Sequence, residues 1–169
     1  DTIIDGPFMI RRGRHHVTED WEPRNSDNRY RGMVTLKKAL ANSINTVSAK
    51  LIDKTGPEAV VELTHKLGVT SEIPVQPSIA LGAVDISVKD MVAAYSTFAN
   101  QGVYIKPQFI TRIEDKNGAV IYEPVPESHD VLNKDIAFAV IKLLEGVTEG
   151  GSGERLRTTG GGSGDNRWT

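Results

Sequence analysis

Two interruptions divide the predicted helical stretch over residues 32–68 into three short helices. These two helix breaks constrain the fold more than any other feature of the sequence. Thr35 is a good N-cap for the first helix. The second helix begins after Asn42-Ser43, two residues whose side chains compete for backbone hydrogen bonds and therefore favour helix ends. Gly56-Pro57 then combines a helix stop with a helix start, because glycine tolerates the left-handed conformation and proline favours the first helical position.

The remaining elements predict an α+β fold that is mainly α. Ser87 and Asp90 form a capping box for a fourth helix, and Asn133 caps the last one. Between them, β-rich runs joined through Asn117-Gly118 are typical of a hairpin. In chain order the sequence predicts a loop at 1–33, a helical lobe at 34–102, a β-hairpin at 103–124, a helix at 133–148 and a glycine-rich tail at 149–169.

The composition is that of one ordinary globular domain. The chain has 169 residues, 38% of them hydrophobic and 25% charged, with a net charge of −2, which gives no attraction to nucleic acid or to anionic membranes. No apolar run approaches the length of a membrane span, and no signal peptide is visible. We therefore expect a soluble segment, although a fragment would have lost any anchor that its parent protein carried.

The basic run "RRGRHH" lies in the predicted loop and has two interpretations. It is either a patch that binds an anion or nucleic acid, or a solvated loop whose charge is balanced by nearby acidic residues, and we favour the second. His15-His16 lacks a third metal ligand at a useful spacing, so neither a metal nor another cofactor is predicted. We expect the rings of Trp21 and Tyr30 to hold this loop in place.

Two short strings match signatures of penicillin-recognising enzymes, which combine S-x-N and K-T-G elements with an S-x-x-K nucleophile. Lys54-Thr55-Gly56 closes one helix just before another opens, which is typical of an ordinary helix stop. Ser43-Ile44-Asn45 is different. Residues two apart on a continuous helix point roughly 200° away from each other, but a helix break would let both side chains turn to one cleft. The alternative is that Ser43 only caps the second helix.

A longer series of motifs favours the catalytic interpretation. The segment "GMVTLKKALANSINTVSAKL" resembles the S-x-N region of class A, bifunctional penicillin-binding proteins. The segments "PSIALGAVD", "AAYSTFANQG" and "RIEDKNG" are similar to elements of the same family and occur in the same order. "DTIIDGP" and "WEPRN" resemble the region just after the nucleophile helix in that family, and "LLEGVTEGGSGERLR" resembles the region just before its K-T-G strand. The resemblance covers about residues 1–157.

The resemblance implies a partial active site. No serine begins an S-x-x-K, and Thr35-x-x-Lys38 lies in the wrong place, just before the S-x-N. The K-T-G strand is missing as well. We therefore expect the central part of a transpeptidase domain, namely the helical lobe of a fold like that of the serine β-lactamases. By the resemblance Ser43 and Asn45 are catalytic, and Trp21 and Asn25 in the bordering loop contact the substrate.

For the parent protein, the resemblance implies a peptidoglycan D,D-transpeptidase that cross-links stem peptides by serine acyl transfer and binds β-lactams. Such a parent is membrane-anchored, works on the periplasmic face of the inner membrane, and has a glycosyltransferase domain elsewhere. The isolated chain should be inactive, because it lacks the nucleophile and the K-T-G strand. The alternative is a non-catalytic helical module for binding or scaffolding. Coding sequence on both sides of the segment distinguishes the two.

Overall fold

The computed structural model describes residues 1–158 and has a mainly helical architecture with three small antiparallel ladders. The helices are α1 (Leu36–Ala41), α2 (Asn45–Thr55), α3 (Pro57–Lys66), α4 (Val88–Ala99), α5 (Lys134–Gly150) and α6 (Arg155–Thr158). The strands are β1 (Thr2–Asp5), β2 (Gly32–Thr35), β3 (Val103–Ile105), β4 (Ile113–Glu114), β5 (Val120–Tyr122) and β6 (Ser128–Asp130). Short 3₁₀ turns occupy Arg14–His16 and Pro77–Leu81. No helix in residues 1–158 is long and apolar enough to cross a membrane.

Both predicted interruptions of the helical stretch are confirmed. The break between α1 and α2 falls at residues 42–44, and Gly56, with φ 85°, separates α2 from α3, which begins at Pro57. The predicted N-caps are also present. Thr35 Oγ1 accepts a hydrogen bond from the Lys38 amide at 3.2 Å. The Thr35-x-x-Lys38 string, which resembles S-x-x-K in its spacing, is therefore a helix cap.

The strands differ from the predicted pattern because two of the ladders join distant segments. β1 pairs with β2 from Thr2↔Thr35 to Asp5↔Gly32, so the predicted loop is closed at its base by a ladder. The hairpin across Asn117-Gly118 is present as β4–β5, with Gly118 at φ 83°. β3, however, pairs with β6 rather than with a strand of that hairpin.

Helix α5 packs against α1 at close range. It starts after the Asn133 cap and extends to Gly150, beyond the predicted end at 148. A Cβ on Gly151 would lie 2.4 Å from the Ala41 carbonyl oxygen, so only glycine permits this approach. The Ser152 amide also donates to that oxygen at 2.9 Å. Of the predicted glycine-rich tail, residues 159–169 lie outside the described residues.

Two apolar clusters form the core. One lies among α3, α4 and the segment that joins them; its buried members are Val61, Leu67, Val69, Ile73 and Ala94. The other lies beneath the junction of α1 and α2; its buried members are Val34, Ala39, Ile44 and Val47, with Ile3 of β1 packed against them. The second cluster positions the candidate site, because Ile44 is the central residue of the S-x-N string.

Candidate active site at the junction of α1 and α2

The junction between α1 and α2 is a Schellman motif built around Ser43. The Ser43 amide donates to the Leu40 carbonyl at 3.1 Å, and the Ile44 amide donates to the Ala39 carbonyl at 3.0 Å. Ser43 is the left-handed residue of the motif, with φ 49°. Ile44 supplies its apolar contact, because its side chain is buried in the same cluster as Ala39. The motif ends α1 and turns the chain sharply into α2.

Ser43 occupies a position that glycine fills most easily. A left-handed conformation costs an L-residue roughly 1–2 kcal/mol, and serine offers no intrinsic compensation for it. The Ser43 side chain is exposed, and among the described residues its hydroxyl has no hydrogen-bond partner. The N-cap of α2 is Ile44, without a side-chain cap bond, so the alternative that Ser43 caps α2 is wrong. The strained position therefore presents the hydroxyl at the surface, without a partner in the described part of the chain.

Replacing Ser43 with glycine should stabilise the 169-residue chain by about 1 kcal/mol, because glycine removes the left-handed strain. This gain corresponds to a rise of about 2–4 °C in Tm for a chain of this size. Ser43→Ala is the matched control, since it removes the same hydroxyl but keeps the strain, and it should give no gain. Thermal unfolding of the two variants checks the prediction; equal Tm values would show that position 43 stores no strain.

Asn45 is the first residue of α2, and its side chain is oriented by the neighbouring loop. Its Nδ2 donates to the Arg24 carbonyl at 2.8 Å. A primary amide has two N–H donors and an acceptor oxygen, so one N–H and Oδ1 remain for other partners. Because of the predicted helix break, Ser43 has a left-handed backbone conformation, whereas Asn45 is helical. That both side chains face one concave surface stays a prediction.

Asn25 lies in a buried network next to Asn45. Its Nδ2 donates to Asp5 Oδ1 at 2.8 Å and to the Arg29 carbonyl at 2.7 Å, while its Oδ1 accepts from the Thr46 amide at 3.2 Å. Asn25 is 5% exposed, and these side-chain atoms are bonded to protein, so the residue joins the loop to the start of α2, where it replaces the missing side-chain cap. Its role as a substrate contact stays a prediction.

Asp5 is the buried centre of this network and remains charged. Its burial acts to raise the pKa, but hydrogen bonds from Thr46, Asn25 and Arg31 outweigh that effect and hold the pKa below its usual value. The folded state therefore binds fewer protons than the unfolded state at acidic pH. The stabilisation is present above the ordinary aspartate pKa and is lost as the pH falls through the lower, folded-state value.

The loop is held in place by these polar contacts rather than by two aromatic rings. Trp21 does pair with Ile10 through a backbone bridge, with hydrogen bonds of 2.9 Å in both directions, and its side chain is half-buried. Tyr30 is 44% exposed, so the expectation that its ring holds the loop was wrong. The role of Trp21 as a substrate contact stays a prediction.

The second half of the basic run, residues 14–16, is paired with acidic groups on the helices. Arg14 and His15 both contact Asp53 near the end of α2, and the hydrogen bond from Arg14 lowers the Asp53 pKa. His16 contacts Glu58 in the first turn of α3 at 3.2 Å. Over residues 1–158, no three His, Cys, Asp or Glu side chains are arranged to hold a metal ion. The run therefore anchors the loop to the helical lobe.

The K-T-G string is the end of a helix. Lys54 and Thr55 are exposed in the last turn of α2, and Thr55 Oγ1 donates back to the Leu51 carbonyl at 3.0 Å. Gly56 has φ 85°, which takes the chain out of the helical conformation, and no strand includes the tripeptide. The interpretation of this string as a helix stop is confirmed.

Replacing Lys54 with alanine should change the free energy of unfolding by less than about 0.5 kcal/mol, as is usual at an exposed position. Gly56→Ala is the contrasting variant. It should destabilise the chain by roughly 1–2 kcal/mol, because alanine is strained at positive φ. Urea unfolding of both variants checks the prediction. A Lys54→Ala loss as large as that of Gly56→Ala would contradict it.

An apolar cavity of about 310 Å³ lies away from this junction, between α3, α4 and the intervening segment. Its lining includes Val60, Ile73, Ile79 and Met91. Ser43, Asn45 and Asn25 are not part of the lining. The cavity therefore belongs to the core of the lobe and not to the candidate site.

Comparisons with known proteins place these motifs in one family. Residues 1–163 match the family model described as the penicillin-binding protein transpeptidase domain. Penicillin-binding protein 1A of Aquifex aeolicus is 43% identical over 137 residues, which are 81% of this chain and 19% of that protein. Penicillin-binding protein 1B of Haemophilus influenzae is 31% identical over 138 residues, which are 81% of this chain and 18% of that protein. The chain thus spans about a fifth of such relatives.

Solved structures have the same fold. Penicillin-binding protein 1A from Haemophilus influenzae superposes with a TM-score of 0.83 at 21% identity, over 94% of this chain and 29% of that one. The PonA1 protein from Mycobacterium tuberculosis, solved in complex with penicillin V, superposes with a TM-score of 0.72 at 24% identity, over 87% of this chain and 41% of that one. At these identities the match establishes the architecture, which confirms the predicted helical lobe of a transpeptidase-type α+β fold.

Proposed function

The chain belongs to the penicillin-binding protein transpeptidase family, and on this basis we propose that it is the central part of a peptidoglycan D,D-transpeptidase. In that reaction a serine outside this sequence attacks the penultimate D-alanine carbonyl of a stem peptide. The terminal D-alanine leaves, and the acyl group passes to an amine on a neighbouring strand. A β-lactam acylates the same serine and is released slowly.

The observation that carries the proposal is the strained and exposed Ser43 at the junction of α1 and α2, whose hydroxyl has no hydrogen-bond partner among residues 1–158. A serine that serves only the Schellman motif is disfavoured there, because glycine would occupy the position with less strain. An unfavourable backbone conformation held in place by surrounding contacts is typical of functional positions. Ser43 is also the serine that the family resemblance assigns to S-x-N.

In the proposed mechanism Ser43 relays a proton. The hydroxyl donates and accepts at the same time, so it can take a proton from the lysine of the S-x-x-K motif and pass it to the leaving nitrogen. Because the hydroxyl is exposed, it can act both as a hydrogen-bond donor and as an acceptor. This role requires the S-x-x-K lysine to be supplied by a part of the domain that these 169 residues do not contain.

Asn45 contributes a fixed donor. Its bond to the Arg24 carbonyl sets the orientation of the amide plane and leaves one N–H for the acyl-side carbonyl of the substrate. The remaining Oδ1 can accept from the same lysine. A donor whose orientation is set before the substrate binds need not reorganise during the reaction, which is the basis of electrostatic stabilisation. Trp21, half-buried in the bordering loop, is the proposed apolar contact for the substrate.

The parent protein is proposed to be an extracytoplasmic, membrane-anchored enzyme with a glycosyltransferase domain, as the class A resemblance implies. Large exposed apolar side chains support the incorporation of this segment into a larger domain. Phe138 on α5 is 60% exposed and Met33 on β2 is 65% exposed. Exposed apolar groups of this size are typical of surfaces that another part of a structure covers.

Two experiments test the function. The coding sequence on both sides should contain an S-x-x-K upstream and a K-T-G-T or K-S-G downstream; finding neither would favour the non-catalytic scaffold. The isolated chain should form no adduct when it is incubated with a fluorescent penicillin and its intact mass is measured, because a serine without an adjacent base is a poor nucleophile. An adduct on Ser43 would overturn its assignment as a proton relay.

A further inference from the structure

We propose that Asp5 is a positioning residue for the S-x-N motif, and that it acts through Thr46 and Asn25 to hold Asn45 in its working orientation. This inference rests on the proposed transpeptidase function. Asp5 is the last residue of β1, and the residue is 1% exposed. It therefore cannot touch a substrate, and any influence on the reaction must pass through its neighbours.

Asp5 connects three separate segments of the chain. Its Oδ1 accepts from Thr46 Oγ1 at 2.6 Å and from Asn25 Nδ2 at 2.8 Å, and its Oδ2 accepts from the Arg31 amide at 2.9 Å. The Arg31 guanidinium lies 3.5 Å from the same Oδ2. A carboxylate only accepts hydrogen bonds, so all these donors converge on one group. β1, the 25–31 loop and α2 are thereby held in a single arrangement.

The network reaches Asn45 through adjacent residues on both sides. Thr46 follows Asn45 in α2, and Asn25 follows Arg24 in the loop. The Thr46 amide donates to Asn25 Oδ1, and the neighbouring Asn45 side chain donates to the Arg24 carbonyl. Hydrogen bonds thus join the loop and the helix at two consecutive positions. If Asp5 no longer binds Thr46 or Asn25, these two residues are no longer held in place, and the neighbouring bond from Asn45 to the Arg24 carbonyl is weakened.

A helix cap alone does not require a buried charge. Ile44 is the N-cap of α2 and has no side-chain bond, whereas serine, threonine or asparagine at such a position would cap the helix locally. The chain instead buries a carboxylate, which is unfavourable unless its partners are placed accurately. In this proposal the network contributes conformational specificity in addition to stability. Asn45 lies next to Thr46, and we expect the network to fix the orientation of its side chain.

The test uses Thr46 in the full-length protein, because its hydroxyl and its methyl group can be removed separately. Thr46→Val keeps the shape and removes the hydroxyl, whereas Thr46→Ser keeps the hydroxyl. We expect Thr46→Val to slow the limiting rate of acylation by a fluorescent penicillin roughly 10- to 100-fold, as small displacements of a catalytic group do. Thr46→Ser should acylate at nearly the wild-type rate even if it is less stable.

The same pair of substitutions at Thr97 is the control. Thr97 is equally buried, and its hydroxyl donates to the Ala93 carbonyl within α4, away from the junction. Thr97→Val and Thr97→Ser should leave the rate of acylation unchanged. A purely structural role of Thr46 would lower the fraction of protein that becomes acylated, but not the rate of the fraction that reacts. Both quantities are therefore read from each time course.

The outcomes separate the inference from the function on which it rests. If the wild-type protein is not acylated, or if Ser43→Ala and Asn45→Ala react at the wild-type rate, the proposed function fails. If those two variants are slow but folded Thr46→Val reacts at the wild-type rate, the positioning role of Asp5 is overturned. A slow, folded Thr46→Ser would also overturn it. Should Thr46→Val not fold, Asp5→Asn takes its place in the same assay.

Discussion

Ser43→Ala and Asn45→Ala should each slow acylation by a penicillin roughly 10²- to 10⁴-fold, in a full-length protein that contains this segment together with S-x-x-K and K-T-G motifs. Ser43→Ala removes the hydroxyl that passes the proton to the leaving nitrogen. Asn45→Ala removes the donor that the Arg24 carbonyl orients. The measurement is the rate of fluorescent labelling at saturating penicillin, with circular dichroism to show that each variant is folded.

Matched controls lie within a few residues of the motif. Ser48 is the next serine on α2, where its hydroxyl is 3.4 Å from the Ile44 carbonyl. Asn42 is the C-cap of α1, and its side chain donates to the Lys38 carbonyl at 2.9 Å. Ser48→Ala and Asn42→Ala should acylate at nearly the wild-type rate. If Ser43→Ala and Asn45→Ala did so as well, the S-x-N assignment would be wrong.

Asn25→Ala should lower the free energy of unfolding of the 169-residue chain by about 3 kcal/mol. Each buried polar group left without a partner costs about 1–3 kcal/mol, and more where a charge is involved. The substitution deprives the Thr46 amide of its acceptor and the Asp5 carboxylate of one donor. It also leaves the Arg29 carbonyl without its bond from Asn25. Urea unfolding monitored by circular dichroism measures the loss.

Ser26→Ala is the control for Asn25→Ala, because Ser26 is exposed in the same loop. It should change the free energy of unfolding by less than about 0.5 kcal/mol. A loss of less than about 1 kcal/mol for Asn25→Ala would mean that the network contributes no more than a single ordinary hydrogen bond. The proposed role of Asn25 as the cap of α2 would then be wrong.

The helix boundaries of the lobe could be predicted because each depends on a few neighbouring residues. Thr35 caps α1 through an amide three positions away, and Gly56-Pro57 ends one helix and starts the next. The break after Asn42 was predictable for the same reason. For Ser43, the position near a helix end could be predicted, but its left-handed backbone conformation could not. Cap-favouring residues indicate a helix end, but not which residue takes the left-handed conformation.

The contacts around Asp5 could not be predicted, because they join residues far apart in the chain. Thr46 lies 41 positions and Asn25 lies 20 positions from the carboxylate that they share. A lone aspartate before Gly6-Pro7 is typical of a turn, and a four-residue strand is too short to show a clear alternation. For the same reason the β1–β2 and β3–β6 ladders were not predicted, whereas the local β4–β5 hairpin was.

The family and the order of the helices could be inferred from the amino-acid sequence, because they depend on motif order and on neighbouring residues. The assignment of Ser43-Ile44-Asn45 as the S-x-N string rests on the same motif order and stays a prediction. Which side chains support that string became clear only from the three-dimensional packing. The packing placed Asn25 in a buried network, and it left the exposed Ser43 hydroxyl without a hydrogen-bond partner among residues 1–158. Burial and hydrogen-bond partners depend on which distant segments of the chain pack together. The local propensity of residues for helix, strand or turn carries no information about that packing.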